Sequence, residues 1–100
     1  MTNIDYERRA EILKALAHPS RLIIMDALAE GEKCVCQLQE LVGSSMPTVS
    51  RHLAQMTNAG IIAGRREGSW IRYRLLCPCL TSVFPCIEEV IRSDTQRRAG

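Results

Sequence analysis

One hundred residues make room for one domain, and a composition 46% hydrophobic and 24% charged belongs to a globular chain, not a disordered one. No apolar run approaches the roughly 18 residues a membrane span needs, and charges interrupt the N-terminal "MTNIDYERRAEILKALAHPSR" where a secretory signal would be apolar, so the chain is expected in the cytoplasm. The net charge of +2 is uneven: −2 over residues 1–43, +4 over 44–76 (Arg51, Arg65, Arg66, Arg72 and Arg74 against Glu67) and 0 over 77–100, which hints at a polyanion-facing surface in the middle of the chain.

In "IDYERRAEILKALA", Ile4, Tyr6, Ala10, Leu13 and Ala17, with Ile12 and Leu16 alongside, fall at helical spacing. His18-Pro19 interrupts this helix, because the residue before a proline avoids the α region, and Pro19 can open the next one. "SRLIIMDALAEG" reads as a second helix with Leu22, Ile23, Met25, Ala27 and Leu28 inward and Gly31 as its stop. A third, about 34–42, buries Val35, Leu38, Leu41 and Val42. "GSS" turns the chain, and Ser45 caps a fourth helix, "MPTVSRHLAQMTNAG", whose buried face is Val49, Leu53 and Met56.

The period then changes. Ile61 and Ile62 start a strand, Glu67-Gly68-Ser69 turns, and "WIRYRL" alternates with period two. This predicts a two-stranded hairpin over about 61–76, with Trp70, Arg72 and Arg74 on one side and Ile71, Tyr73 and Leu75 on the other. After "CPC" a last helix, about 81–94, carries the apolar stripe Leu80, Val83, Phe84, Ile87, Val90 and Ile91. Pro85 fits its first turn if Thr81 or Ser82 is the cap, and "SDTQRRAG" is expected to fray. The order is α-α-α-α-β-β-α, a mainly α fold. Helices three and four, about 34–59, make a helix-turn-helix, and the hairpin is its wing.

A major groove about 12 Å wide admits one such helix, and short polar side chains near its N-terminus come closest to base edges. The fourth helix offers Ser45, Thr48, Ser50, Arg51, His52 and Gln55. Its hydroxyls and N-terminus can hold phosphates, Arg51 and Gln55 can reach bases, and Arg65, Arg66 and Arg72 of the wing can follow the backbone or a minor groove.

"LAHPSRLIIMDALAEG", "VCQLQELVGSSMPTVSRHLAQMTNAGII" and "RREGSWIRYRL" resemble the ArsR/SmtB family of winged-helix repressors, from about Ala15 to Leu76. The resemblance implies a homodimer built on the first and last helices, with the Leu80–Ile91 stripe at its interface. It also implies binding to an imperfect palindromic operator and release when a metal or metalloid binds. By the same match Ser45, Pro47, Thr48, Ser50, Arg51, His52 and Gln55 occupy the DNA-reading helix.

Five cysteines in a cytoplasmic chain are not expected to be structural disulfides, which leaves metal binding, redox sensing and burial. Cys34 and Cys36 match the family's "CVC" at the start of the third helix. Arsenic-responsive members carry a further cysteine three residues on, where this chain has Gln39. As(III) and Sb(III) are soft, three-coordinate centres that favour thiolates; Cd(II), Pb(II) and Zn(II) are other effectors the thiols can take. On a regular helix residues i and i+2 lie about 200° apart, so Cys34 and Cys36 are expected to share one atom only if the helix start unwinds, distorting the support of the reading helix. Cys77, Cys79 and Cys86 of "CPCLTSVFPC" can supply a third ligand, form a site of their own, or do separate work. A thiol-redox or reactive-sulfur repressor of the same fold stays open, as does, in a different class, a metalloid carrier that binds no DNA. No catalytic constellation or glycine-rich phosphate loop appears, so an enzyme is not expected. His18 reads as a local structural or capping residue and His52 as a DNA-side or turn-packing one.

Overall fold

The computed structural model describes residues 5–100; Ile4, assigned above to the first helix, lies outside them. The chain runs α1 (Tyr6–Leu16), α2 (Pro19–Ala29), β1 (Lys33–Cys34), α3 (Val35–Val42), α4 (Met46–Asn58), β2 (Ile62–Glu67), β3 (Trp70–Leu75), a 3-10 turn (Pro78–Ser82) and α5 (Val83–Ala99). Local chemistry sets the boundaries. Asp5 accepts from the Arg8 backbone N–H at 2.9 Å to cap α1. His18, extended at φ −157°, caps α2 by accepting from the Ser20 N–H at 3.0 Å, and Pro19 fills the first helical position. Gly43 ends α3 in the left-handed region (φ 78°), where a side chain would be strained.

The core joins α1, α2, α3, α4 and the start of β2: Leu16, Ile24, Met25, Leu28, Leu38, Val49, Leu53, Met56, Ile61 and Ile62 are all buried. The expected inward face of α4 is the one observed. On α2 the face is rotated: Ile24 is buried, whereas Leu22 and Ile23 are exposed, and Leu41 on α3 is exposed as well. Contiguous apolar runs such as "LIIM" do not fix a helix's rotation; what packs against it does. Tyr6 and Leu13 of α1 and Val83, Ile87, Val90 and Ile91 of α5 are exposed, while Leu80 and Phe84 pack on the core.

The hairpin has a third strand the sequence pattern does not reveal. β1 pairs antiparallel with β3, giving the order β1-β3-β2, with Lys33 opposite Tyr73 and Cys34 opposite Arg72. Two residues carry no period to read. Within the hairpin a Cβ on Gly64 would sit 2.9 Å from both Ile71 and Tyr73 side chains, so the close passage over β3 requires glycine there. Pro85 lies in the first turn of α5, as expected. α5 continues to Ala99 through the segment expected to fray, with Arg98 paired to Asp94 at 2.8 Å, Arg97 also on Asp94, and two arginines in the last turn complementing the helix dipole. Among the described residues no helix is long and apolar enough to cross a membrane.

Candidate functional site

α4 follows α3 after a three-residue turn, and its N-terminus is built to be polar. Ser45 is the cap, accepting from the Thr48 N–H at 3.4 Å, while its hydroxyl also lies 3.0 Å from that of Thr48. Pro47, in the first turn, has no N–H to satisfy. Ser45, Pro47, Ser50, Arg51 and Gln55 are exposed and Thr48 is half-buried, so six of the seven positions matched to the reading helix reach its surface. Gln55 lies further along, in a cleft of about 300 Å³ shared with Arg8, Lys14 and Arg21.

The seventh, His52, does not. It is buried. Its Nδ1 accepts from Arg21 Nε at 3.0 Å, its ring lies 4.4 Å from that of His18, and Arg21 also donates to the Ala15 carbonyl at 3.2 Å. Burial foremost, then the nearby charges of His18, Arg21 and Arg51, pushes the His52 pKa below its ordinary value. His52 thus seats α4 on α1 and α2. The sequence shows an alternation of polar and apolar residues here but not the arginine 31 positions away that makes a buried histidine tolerable.

The wing arginines are not equivalent. Arg65 donates to Glu32 at 2.8 Å and to Glu67 at 2.9 Å; Arg72 lies 3.5 Å from Glu32 and donates to its carbonyl at 3.4 Å. The hydrogen bond from Arg65 is the main reason Glu32 holds its carboxyl below the usual carboxylate value. Arg66 and Arg51, by contrast, are exposed and carry no ion pair among the described residues. Glu32, which sequence reasoning passed over, ties the wing to the segment entering β1. Its only signal was its place two residues before Cys34.

Cys34 and Cys36 are joined as a disulfide, with Cα atoms 5.4 Å apart, where structural disulfides were not expected and only the redox alternative foresaw a bridge. The geometric expectation is corrected. Cys34 is not in the helix: it is the extended N-cap of α3 (φ −79°, ψ 159°) and the last residue of β1, so its sulfur reaches that of Cys36 with no unwinding. The Gln37 side chain accepts from the Cys34 N–H at 2.8 Å and holds this arrangement. Gln39, at the position of the missing thiol, donates to the Ser44 carbonyl at 3.4 Å across the α3–α4 turn.

Cys77 and Cys79 flank Pro78 where the wing gives way to the 3-10 turn. Their sulfurs lie 3.2 Å apart, both residues are exposed, and the contact with Cys77 raises the Cys79 pKa. Cys86, in the first turn of α5, is exposed and free. The five candidate cysteines therefore fall into two pairs and a single residue. Among the described residues no three His, Cys, Asp or Glu side chains converge as a metal-holding group.

A capped helix-turn-helix followed by an arginine-bearing wing defines a winged helix-turn-helix regulator, a DNA-binding class and not an enzyme class. The model of the arsR family of bacterial regulatory proteins matches residues 18–63. The chain is 42% identical over 88 residues to the arsenical resistance operon repressor of Escherichia coli, covering 87% of this chain and 75% of that one. It is 37% identical over 86 residues to an uncharacterized HTH-type transcriptional regulator of Methanocaldococcus jannaschii, covering 85% and 97%. Its fold matches the homodimeric winged helix-turn-helix DNA-binding domain of a possible ArsR-family regulator from Mycobacterium bovis, with a TM-score of 0.74 at 27% identity over 97% and 95% of the two chains. The chain belongs to the ArsR family of transcriptional regulators.

Proposed function

We propose that this protein is a repressor that holds operator DNA as a homodimer and lets go when a trivalent metalloid, As(III) or Sb(III), is bound through Cys34 and Cys36. The observation that carries the reading is the placement of that pair. Its two sulfurs meet at the one residue, Cys34, that belongs at once to the strand pairing with the wing and to the cap of the helix supporting α4. In the reduced state the pair is a dithiol, whose sulfurs lose their protons on binding and supply the donor chemistry a soft centre prefers, and the relative in Escherichia coli is named for arsenical resistance.

Ser45, Pro47, Thr48, Ser50 and Arg51 would face the major groove from the N-terminal half of α4, with Gln55 a turn further on and Arg66 of the wing toward the backbone. Arg65 and Arg72 share part of their donors with Glu32, so this carboxylate, two residues before Cys34, restrains the wing arginines. The exposed apolar residues of α1 and α5 support the dimer. Gln39 is engaged with Ser44, so the third valence of the metalloid falls to a ligand from outside α3.

A second reading has its own observation: the pair is joined in this structure. Two thiols here can become a disulfide by giving two protons and two electrons to a peroxide, which leaves as two waters, so oxidation can reset the same strand-to-helix junction. Gel shifts on the chain's own upstream DNA test the choice in two arms, arsenite under a phosphine reductant and peroxide after that reductant has been removed. Arsenite is expected to release the DNA, with release lost in the C34S/C36S variant. Release by peroxide alone, and not by arsenite, would replace the metalloid with the redox reading. Release by arsenite from C34S/C36S would remove the pair from the mechanism.

A further inference from the structure

The pair Cys77 and Cys79 has no part in that reading, yet its geometry is the more open of the two. Both thiols are exposed, they lie 3.2 Å apart, and unlike Cys34 and Cys36 they are not joined. The backbone around them is tied off without their sulfurs: the Leu80 N–H donates to the Cys77 carbonyl at 3.0 Å, the Ser82 hydroxyl to the Cys79 carbonyl at 2.6 Å and the Thr81 hydroxyl to the Pro78 carbonyl at 2.8 Å. Upstream, the Leu76 N–H bonds the Ile61 carbonyl at 3.0 Å, which anchors the segment to the base of the wing. Pro78 between the two cysteines fixes its own φ.

The separation the free thiols already hold suits one coordination geometry with the least rearrangement. With metal–sulfur bonds of about 2.3 Å, sulfurs 3.2 Å apart subtend about 88° at the ion. A linear two-coordinate ion with the same bonds would need them about 4.6 Å apart, and a tetrahedral one about 3.8 Å apart together with two further ligands. A pyramidal trivalent metalloid, whose three valences stand near right angles, accepts the observed bite and asks the protein for no more than two thiolates.

We propose that Cys77 and Cys79 form a second, separate dithiol site, at the joint between the wing and α5, that takes a trivalent metalloid through two sulfur bonds and leaves its third valence to a ligand from solution. With arsenous acid, two S–H and two As–O bonds break, two As–S bonds form, and the two protons leave with the two hydroxides as water. The arsenic stays trivalent and keeps one hydroxyl, so neither oxidant nor reductant is needed. The site does not depend on the role given to Cys34 and Cys36. Occupied, it would stiffen the segment through which the wing is joined to α5.

Native mass spectrometry of the full chain with phenylarsine oxide, in a phosphine reductant, tests this directly. The probe's phenyl group blocks one valence and leaves two for sulfur. The C34S/C36S variant is expected to take up one equivalent, and adding C77S or C79S is expected to weaken binding on the order of a hundredfold, since the second bond to a chelate forms at high effective concentration. Adding C86S instead is expected to change nothing. Circular dichroism confirms that each variant is folded. The proposal is overturned if folded C34S/C36S takes up no arsenical, if uptake survives loss of Cys77 and Cys79, or if Cys86 proves necessary. None of these outcomes bears on operator release through Cys34 and Cys36, which the gel shift reads separately.

Discussion

Two Cys-x-Cys pairs in one short chain sit in opposite mechanical settings. Cys34 and Cys36 are half-buried, and Cys34 is at once a strand residue opposite Arg72 and the cap of α3, two residues from the carboxylate that holds Arg65 and Arg72. Cys77 and Cys79 are exposed, at the start of a 3-10 turn whose hydrogen bonds close on themselves apart from the Leu76–Ile61 anchor. Identical spacing thus gives a pair wired into the junction of the wing with the helix-turn-helix and a pair beside it. Effector chemistry alone does not make a switch: the ligand has to bind two conformations of the protein unequally, and a residue shared by strand and helix is placed to feel such a difference.

The sharpest way to break this comparison is to exchange the pairs' roles. With wild-type protein, effector should weaken operator binding by about 5–150-fold, the usual range for coupling between two sites. The C34S/C36S variant should lose that response entirely, whereas C77S/C79S should keep most of it. Fluorescence anisotropy with labelled operator, with and without arsenite, reads both. Equal loss in the two variants would mean that the joint at α5 is as tightly coupled as the junction at α3.

His52, on α4, offers a control that touches neither pair. His52→Ala leaves the Arg21 Nε–H without its partner and should cost about 1–3 kcal/mol, the usual penalty for a buried polar group left unpaired, measurable by urea denaturation. Because burial and neighbouring charge hold the folded pKa of His52 below the ordinary 6.5, the unfolded chain binds the proton more readily. The contribution of neutral His52 is therefore whole above about pH 6.5 and shrinks as pH falls through the lowered folded value. Wild-type stability should drop more steeply than that of His52→Ala on going from pH 7 to pH 5. Parallel curves would show that the histidine does not titrate with folding.

Glu32 tests the wiring itself. Glu32→Gln keeps the size of the side chain but removes the charge that Arg65 and Arg72 share. Arsenic stoichiometry should be unchanged, while the coupling between effector and operator should change by about 0.5–2 kcal/mol, a typical effect for a residue on a coupling route. An unchanged coupling would place the route through α3 and α4 alone.

What the sequence disclosed of all this follows the range of the interactions. The helix-turn-helix, the buried face of α4, the wing and the place of Pro85 rest on periodicity, caps and turn residues, which act within a few positions. The rotation of α2, the third strand and the burial of His52 rest on contacts tens of positions apart: Cys34 with Arg72, Arg21 with His52. The expectation that α3 must unwind failed for a similar reason. It assumed that Cys34 was helical, whereas pairing with β3 holds it extended. The helical end of α5 was not legible either, although Asp94, Arg97 and Arg98 stand at the i, i+3 and i, i+4 spacings that pair them there.

The smallest expected effect concerns Gln39, and it decides whether the first pair has a third ligand within its own helix. Gln39 lies three residues after Cys36, on the same face of α3, where an amide oxygen could approach a bound ion. In this structure the side chain is turned toward the α3–α4 turn and donates to the Ser44 carbonyl at 3.4 Å. Gln39→Ala should therefore act on stability and not on sensing. The lost hydrogen bond is worth about 0.5–1.5 kcal/mol, and 1 kcal/mol moves the thermal midpoint of a domain this size by about 4–8 °C. Arsenite affinity, by titration of the reduced protein, should match wild type. A fall in affinity without a fall in midpoint would make Gln39 a ligand, and the first pair would then resemble a complete three-donor site more than it resembles Cys77 and Cys79.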